Sequence, residues 1–187
     1  MVKNNTCVFI SGSGTNLKNL ISKTREYNFP IKIKLVISNN QNAKGLKFAK
    51  KNSIPLFVFN SKNRLFENQL LNLLNKHKIK LICLAGFMKI LSKNFLSKFK
   101  GKIINIHPSL LPKFKGLNTY SRILKGGETI TGCTVHYVNE KLDAGKIIIK
   151  KSFNISVSDC EKSLKNKTQK LEYRAYPEAI IKIYKNI

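Results

Sequence analysis

The sequence of 187 residues is poor in acids: nine Asp and Glu stand against 35 Lys and Arg, a formal net charge of +26. Such an excess is typical of proteins that bind nucleic acid or anionic membranes. Arginine, the better ligand for phosphate and base edges, is nevertheless scarce, at positions 25, 64, 122 and 174 only. The lysines extend from Lys3 to Lys185 without a concentrated stripe. Since Lys, Ile and Asn all have A/T-rich codons, nucleotide bias explains the charge better than a nucleic-acid site does.

Cysteine and long apolar runs are scarce too. The four cysteines, at positions 7, 83, 133 and 160, form no C-x-x-C pair, which argues against a zinc site or a disulfide framework. We expect them to be buried small hydrophobic residues in a reducing cytosol. No run approaches the roughly 18 apolar residues of a membrane span, and the N-terminus has no apolar signal segment. The sequence therefore predicts a soluble cytoplasmic protein with no membrane partner.

Short apolar runs alternate with helical patterns along the first part of the chain. We predict strands at 6–10, 33–37, 56–59, 81–85 and 103–106, and helices at 16–23, 44–51 and 65–77. This alternation is typical of a mostly parallel, doubly wound α/β sheet. Beyond the fifth strand, alternating segments at 133–138 and 147–153 indicate an antiparallel extension, and a long helix or two is expected over 159–187.

In open α/β sheets, ligands bind at the loops that follow the carboxyl ends of the strands. The first such loop, "SGSGTNL" at 11–17, combines exposed backbone amides with a helix N-terminus, which favours a phosphate. It is not a P-loop, because no GK[ST] follows, nor a dinucleotide G-x-G-x-x-G loop, because Leu17 replaces the third glycine. A tight turn with a Ser or Thr helix cap is the alternative.

The loop after the fourth strand is "LAGFMKIL", at 84–91. Gly86 allows a ligand to approach the backbone closely, and the apolar side chains at 87, 88, 90 and 91 are suited to a flat heterocycle. Ordinary core packing is the alternative for these residues.

Two further loops carry polar side chains suited to chemistry. In "NIHP", at 105–108, Asn105 and His107 project to the same side of an extended chain, and Pro108 favours that geometry. In "LDAG", at 142–145, Asp143 is one of only two aspartates in the chain. A strand end with incidental polar residues and a plain turn aspartate are the alternatives.

The combination of motifs is more specific than any one of them. In this order and at these separations, "ISGSGTNL", "VISN", "LAGFMKILS", "INIHPSLLPKFKG", "TGCTVHYVNEKLDAG" and "YP" resemble the glycinamide ribonucleotide formyltransferase family over essentially the whole chain. The resemblance implies a single domain over 1–187 with a Rossmann-like formyltransferase fold: a mostly parallel twisted sheet with helices on both faces and an antiparallel C-terminal extension. Its nucleotide-phosphate half covers about 1–100 and its folate and catalytic half about 101–187.

The resemblance also implies the reaction and the ligands. The formyl group of 10-formyltetrahydrofolate passes to the amino group of glycinamide ribonucleotide in de novo purine synthesis, without metal or ATP. Both partners are small molecules, with no specific nucleic acid, and the protein is expected to be a monomer or a weak homodimer.

Site residues follow from the same resemblance, position by position. Asn105, His107 and Asp143 match the catalytic residues. The nucleotide ligands are Gly14, Thr15 and Asn16 at the phosphate together with Glu172, and the folate ligands are Met88, Lys89, Ile90, Leu91 and Asn105. Lys89 stands where the family usually has Arg, and Asn63 where an Arg near the folate tail is common. Arg64 or Lys62 is expected to substitute for the latter.

The chemistry explains why three such residues belong together. When the substrate amine attacks the formyl carbon, a tetrahedral oxyanion forms, which the Asn105 amide and a protonated His107 would stabilise. Asp143 is expected to raise the pKa of His107 and to carry the proton from the amine to the leaving nitrogen. His136 is expected to be a structural histidine near the site.

Three other functions remain open. Methionyl-tRNA formyltransferase shares the Asn-x-His and Asp elements, but it carries a further C-terminal domain and a first loop closer to "AGTP". Formyltetrahydrofolate hydrolase usually has an N-terminal regulatory domain and a second His where this chain has Pro108. A basic RNA-binding module would require aromatic motifs and an arginine stripe that this sequence lacks.

Overall fold

A computed structural model describes residues 3–59 and 66–185. Arg64, together with Lys62 and Asn63, lies outside the described residues, so its predicted role in folate binding stays a prediction. The strands are β1 Asn4–Ile10, β2 Ile31–Ser38, β3 Leu56–Val58, β4 Leu81–Leu84, β5 Lys102–His107, β6 Ile130–Tyr137 and β7 Ile147–Asn154. The helices are α1 Thr15–Lys23, α2 Leu46–Lys51, α3 Phe66–Lys76, α4 Lys93–Lys98, α5 Thr119–Lys125 and α6 Glu161–Lys185. The strand order is β3-β2-β1-β4-β5-β6-β7.

The chain forms two compact units, Met1–Ile104 and Asn105–Ile187. In the first unit, β1 pairs in parallel with β2 and β4, and β2 pairs in parallel with β3. The middle strands are continuous apolar runs, and Val8, Phe9 and Ile10 are fully buried. Such runs are typical of parallel strands that are covered on both faces. The predicted parallel sheet is confirmed.

The second unit contains the antiparallel pair β6 and β7, with Thr134 opposite Lys150 and His136 opposite Ile147. The single 25-residue helix α6 packs against both strands and against α5. Tyr176, on the face of α6 that packs into the core, is fully buried. The antiparallel extension is therefore confirmed, and one helix, rather than two, closes the unit. The predicted folate loop at 88–91 belongs to the first unit, although the sequence assigned folate to the second half.

Two short helices were missed by the sequence analysis. Helix α4 has six residues and α5 has seven, too few to show an apolar period, although Ser92 caps α4 by accepting a hydrogen bond from the Phe95 amide. The cysteine prediction was right for Cys7, Cys83 and Cys133 but wrong for Cys160, which is exposed just before α6 begins. Within residues 3–59 and 66–185, no helix has the length and apolarity that crossing a membrane requires.

Candidate active site

Asn105 and His107 lie at the end of β5, and both side chains reach Asp143 in the loop between β6 and β7. Alternation along the strand places them on one side, as the sequence predicted. Asp143 itself has a left-handed backbone, with φ of 46°. A non-glycine residue in this conformation is strained and is often found at functional sites.

The Asp143 carboxylate is the centre of the cluster, and each of its oxygens has two neighbours. Oδ1 lies 3.4 Å from Asn105 Nδ2 and 3.6 Å from His136 Nε2. Oδ2 accepts a 2.9 Å hydrogen bond from the Gly116 amide and lies 3.3 Å from His107 Nδ1. The sequence separates these residues widely, and the fold brings all of them within reach of one carboxylate.

Asp143 is held in its charged form. Burial by itself raises the pKa of the carboxyl, but the contact with the His136 ring, the Gly116 amide hydrogen bond and positive charge on either imidazole outweigh it and lower the pKa to about 2. A carboxylate that accepts fixed hydrogen bonds is stabilised as the anion. At neutral pH, Asp143 therefore has a lone pair available to accept a proton.

His107 departs from the expected protonation. Burial lowers the pKa of its imidazole below the ordinary 6.5, and the raising effects of the Phe114 carbonyl and of Asp143 do not compensate. The charges of His136 and Arg122 lower it further. The sequence correctly predicted that Asp143 raises this pKa, but the net direction is the opposite, because the residue is only 5% exposed. The resting imidazole at neutral pH is thus mostly uncharged.

Both ring nitrogens of His107 face acceptors. Nε2 lies 2.9 Å from the Phe114 carbonyl oxygen, and Nδ1 faces the Asp143 carboxylate. In the neutral ring the proton belongs on Nε2, where it is donated to Phe114. A second proton would be donated to Asp143, so the imidazolium, although disfavoured by burial, has both of its N–H groups paired.

This protonation state predicts a pH dependence of stability. Since the folded pKa of His107 lies below 6.5, the unfolded chain binds more protons as the pH falls through that value, and the free energy of unfolding decreases. Asp143 stays charged throughout this range. We expect His107→Asn to lose less stability than wild type between about pH 7.5 and about pH 5.5, as measured by urea unfolding.

A matched control for this pH effect is Asn105→Ala, which disturbs the same cluster without removing a titrating group. This variant should show the wild-type difference between the two pH values. A His107→Asn protein that loses as much stability as wild type would contradict the lowered pKa.

His136, expected from the sequence to be a structural histidine near the site, contacts two members of the cluster. It is 2% exposed, its Nδ1 lies 2.8 Å from the Tyr137 carbonyl oxygen, and its Nε2 lies 3.2 Å from Asn105 Nδ2. Because a carbonyl can only accept, Nδ1 carries the proton and Nε2 accepts from Asn105 in the neutral ring. Thr134, two residues earlier on the same side of β6, accepts from the Leu111 amide and donates to the Ser109 carbonyl. In the sequence, the alternation of polar residues along "TVHYV" was the signal that Thr134 and His136 share one side of the strand.

Glu172, the predicted nucleotide ligand, lies on α6 and is 9% exposed. Its neighbours include the Tyr120 hydroxyl and the Cys133 thiol. Burial, and to a smaller extent the nearby Glu172 charge, raises the pKa of the Tyr120 hydroxyl. The same two causes raise the pKa of the Cys133 thiol to about 12.

The first loop of the first unit is built around two glycines. Gly14 has a left-handed backbone, with φ of 69°, and is the N-cap of α1. A methyl group on it would lie 2.5 Å from Gly45 Cα, and the Gly45 amide donates to the Gly12 carbonyl at 2.9 Å. Gly14 is therefore required for backbone packing, whereas Gly12 and Ser13 are the exposed members of the loop. Thr15 and Asn16 begin α1, and Asn16 is buried.

The loop after β4 is linked to the first loop through Ser11. The Met88 amide donates to Ser11 Oγ at 2.8 Å, and that hydroxyl donates to Asn39 Oδ1 at 2.6 Å. Met88 and Ile90 are 67% and 72% exposed, whereas Leu91 is buried. Lys89 Nζ lies 5.9 Å from the centre of the Phe66 ring. Two exposed apolar side chains on an anchored loop suit contact with an apolar ligand.

Comparison with known proteins supports one family. The formyl transferase family model matches residues 4–180. The chain is 44% identical to the phosphoribosylglycinamide formyltransferase of Haemophilus influenzae over 179 residues, 92% of this chain and 84% of that protein. It is 43% identical to the human trifunctional purine biosynthetic protein adenosine-3 over 182 residues, 95% of this chain but 18% of that protein.

Solved structures agree with the sequence comparisons. The crystal structure of phosphoribosylglycinamide formyltransferase from Anaplasma phagocytophilum superposes with a TM-score of 0.92 at 40% identity, over 97% of this chain and 87% of that one. The phosphoribosylglycinamide formyltransferase from Coxiella burnetii superposes with a TM-score of 0.90 at 41% identity, over 98% of this chain and 88% of that one. Because the family model matches most of its length and these relatives agree, the chain belongs to the formyl transferase family.

Proposed function

We propose that this protein transfers the formyl group of 10-formyltetrahydrofolate to the amino group of glycinamide ribonucleotide. The proposal rests on one observation above all: Asn105, His107 and Asp143 form a single cluster in a chain that matches phosphoribosylglycinamide formyltransferases over most of its length. This cluster offers an amide donor, an imidazole and a charged carboxylate, which are the groups that an uncatalysed acyl transfer lacks.

In this proposal the substrate amine attacks the formyl carbon, and the carbonyl oxygen becomes an oxyanion. The Asn105 amide is the first donor to that oxygen. Its contact with His136, at 3.2 Å, is at the long end of the ordinary hydrogen-bond range, and its contact with Asp143, at 3.4 Å, is beyond it. Exchanging them for a charged acceptor therefore costs little, and the charge-assisted bond that replaces them is stronger. The proton that Asp143 takes from the amine passes to His107 Nδ1, 3.3 Å from Oδ2, so the ring becomes an imidazolium. Its Nε2–H then leaves the Phe114 carbonyl and becomes the second donor, and the proton returns through Asp143 to the leaving nitrogen.

Asp143 moves the proton in the same proposal. The attacking nitrogen must lose a proton, and the leaving nitrogen of the folate must gain one, so the transfer is balanced without any outside acid or base. With a pKa of about 2, the carboxylate accepts the proton only transiently and releases it readily. A bridging water would carry the proton if the amine is not in direct contact.

The binding residues are proposed from the exposure of their side chains and from their places in the fold. The exposed apolar side chains of Met88 and Ile90 support a pterin contact. Lys89 and the buried Leu91 complete that loop. The loop around Gly14 has a helix N-terminus behind it, which supports phosphate binding. The buried carboxylate of Glu172 supports a contact with the amino or hydroxyl groups of the nucleotide.

A direct assay tests the function. Purified protein with 10-formyltetrahydrofolate and glycinamide ribonucleotide, without ATP, should produce tetrahydrofolate and the formylated nucleotide in equal amounts. Formate release without the nucleotide would instead indicate a hydrolase. A folded, folate-binding preparation that transfers no formyl group would refute the proposal.

The net charge of +26 predicts a salt effect on this reaction. Both proposed substrates are anionic, so a positive surface speeds their capture, and added salt screens that attraction. We expect kcat/KM to fall as salt rises to about 0.15 M while kcat stays nearly constant. Binding to duplex DNA or RNA should be weak and independent of sequence. A salt-resistant, submicromolar RNA complex would contradict this and would favour a tRNA-related function.

A further inference from the structure

The segment that leads from β5 into α5 has an unusual backbone. Phe114, Gly116 and Asn118 all have left-handed conformations, with φ of 56°, 78° and 54°. Glycine adopts this conformation without strain and Asn tolerates it, whereas the bulky side chain of Phe114 clashes there with its own backbone. The strained Phe114 indicates that contacts from outside the segment hold it in place.

The same segment supplies two backbone groups to the Asp143 cluster. The Phe114 carbonyl lies 2.9 Å from His107 Nε2, and the Gly116 amide donates to Asp143 Oδ2 at 2.9 Å. One of these groups fixes the orientation of the imidazole, and the other fixes the carboxylate. A shift of this backbone would therefore move both side chains at once.

Arg122, on α5, contacts the segment at three points. Its Nη1 donates to the Lys115 carbonyl at 2.6 Å and to the Leu117 carbonyl at 3.3 Å. Its guanidinium carbon lies 5.7 Å from the centre of the Phe114 ring. The two carbonyls alternate with the left-handed residues, so one planar cation binds the strained backbone from residue 114 to residue 117.

We propose that Arg122 is a positioning residue for the reaction, acting as a clamp that holds the Phe114 carbonyl against His107 and the Gly116 amide against Asp143. The inference rests on the proposed function for its effect on turnover, but the clamp itself is a property of the fold. Arg122 touches neither of the two side chains directly. Arg122 is an exposed residue, so solvent and salt screen the effect of its charge on the pKa of His107, and the clamp rests on the fork of donors and on the Phe114 ring.

Two substitutions separate the clamp from the charge. Arg122→Met keeps an apolar stem but removes every donor and the charge. Arg122→Lys keeps the charge and one ammonium group, which lacks the planar fork that binds the carbonyls and stacks on Phe114. Arg25→Ala is the matched control, because Arg25 also makes a side-chain hydrogen bond on the surface, to Asn52, in the other unit. Each variant is measured for kcat, for both KM values and for amide hydrogen exchange at Gly116.

For Arg122→Met we expect kcat to fall roughly ten- to a hundredfold with KM changed only a few-fold, because misplaced catalytic groups lower turnover more than binding. The Gly116 amide should exchange about tenfold faster, as expected when the hydrogen bond that protects it is weakened. Arg122→Lys should give values between those of Arg122→Met and wild type in both measurements, and Arg25→Ala should match wild type.

Three other results would count against the clamp or against the proposed function. Wild-type kcat and wild-type Gly116 exchange in Arg122→Met would overturn the clamp. Full recovery of both by Arg122→Lys would also overturn it, because charge alone would then suffice. If the wild-type protein transfers no formyl group, the proposed function fails, and faster Gly116 exchange in Arg122→Met still supports the clamp.

Discussion

Replacing Asp143 by Asn is expected to lower kcat by roughly 10²–10⁴-fold, with KM for both substrates within a few-fold of wild type. Asn keeps the size of the side chain and an oxygen that can accept from the Gly116 amide. It lacks the negative charge and the basic lone pair that take the proton from the amine. It also removes a neighbour that favours the protonated form of His107, so the oxyanion donor weakens at the same step.

The other aspartate of the chain provides the control for this experiment. Asp159 precedes α6, accepts from the Ser156 amide, and forms a 2.6 Å ion pair with Lys167. Like Asp143, it has a pKa lowered to about 2, in this case first by the hydrogen bond from Lys167. Asp159→Asn should cost some thermal stability and leave kcat within a few-fold of wild type. If Asp143→Asn also has a kcat near wild type, Asp143 is a turn residue and not a catalytic one.

Replacing Gly14 by Val is expected to reduce the free energy of unfolding by about 3 kcal/mol, from left-handed strain and overpacking together. The first β carbon would already lie 2.5 Å from Gly45 Cα, a backbone atom that cannot turn away. A loss of this size lowers Tm by roughly 10 °C in a protein of this length. Any loss of nucleotide binding in this variant would therefore be a consequence of the displaced loop.

Gly12→Val separates the ligand effect from the packing effect. Gly12 is exposed, and within residues 3–59 and 66–185 no atom beyond its own chain neighbours lies within 4 Å of the β carbon that would be added. Its Tm should match wild type, while KM for the nucleotide rises and KM for the folate does not, if the phosphate approaches the backbone here. A Gly14→Val protein with wild-type Tm would contradict the close approach of the two glycines.

The order of elements was predictable because side-chain periodicity is a local property of the chain. Continuous apolar runs such as β4 indicated buried parallel strands, and the alternation along β6 and β7 indicated an antiparallel pair. Helices α4 and α5 escaped prediction because six or seven residues are too few for a helical period to appear. The resemblance to formyltransferases identified the family that the comparisons then confirmed.

By itself, the sequence determined that Asn105 and His107 project together, since two residues on an extended strand end always share a side. It also determined that Asp143 lies in a turn before a strand. Only the tertiary structure decided what surrounds these side chains. The Phe114 carbonyl and the Gly116 amide carry no sequence signal for their contacts, because a backbone group is the same in every residue and its direction depends on the path of the chain.

The protonation of the site was likewise decided by the tertiary structure. From sequence, the negative charge of Asp143 predicted a raised pKa for His107. In the folded protein that imidazole is almost fully removed from water, and the loss of hydration outweighs the attraction of the carboxylate. Residue types fix which charges are present, but burial fixes their energies, and burial is a property of the packed fold.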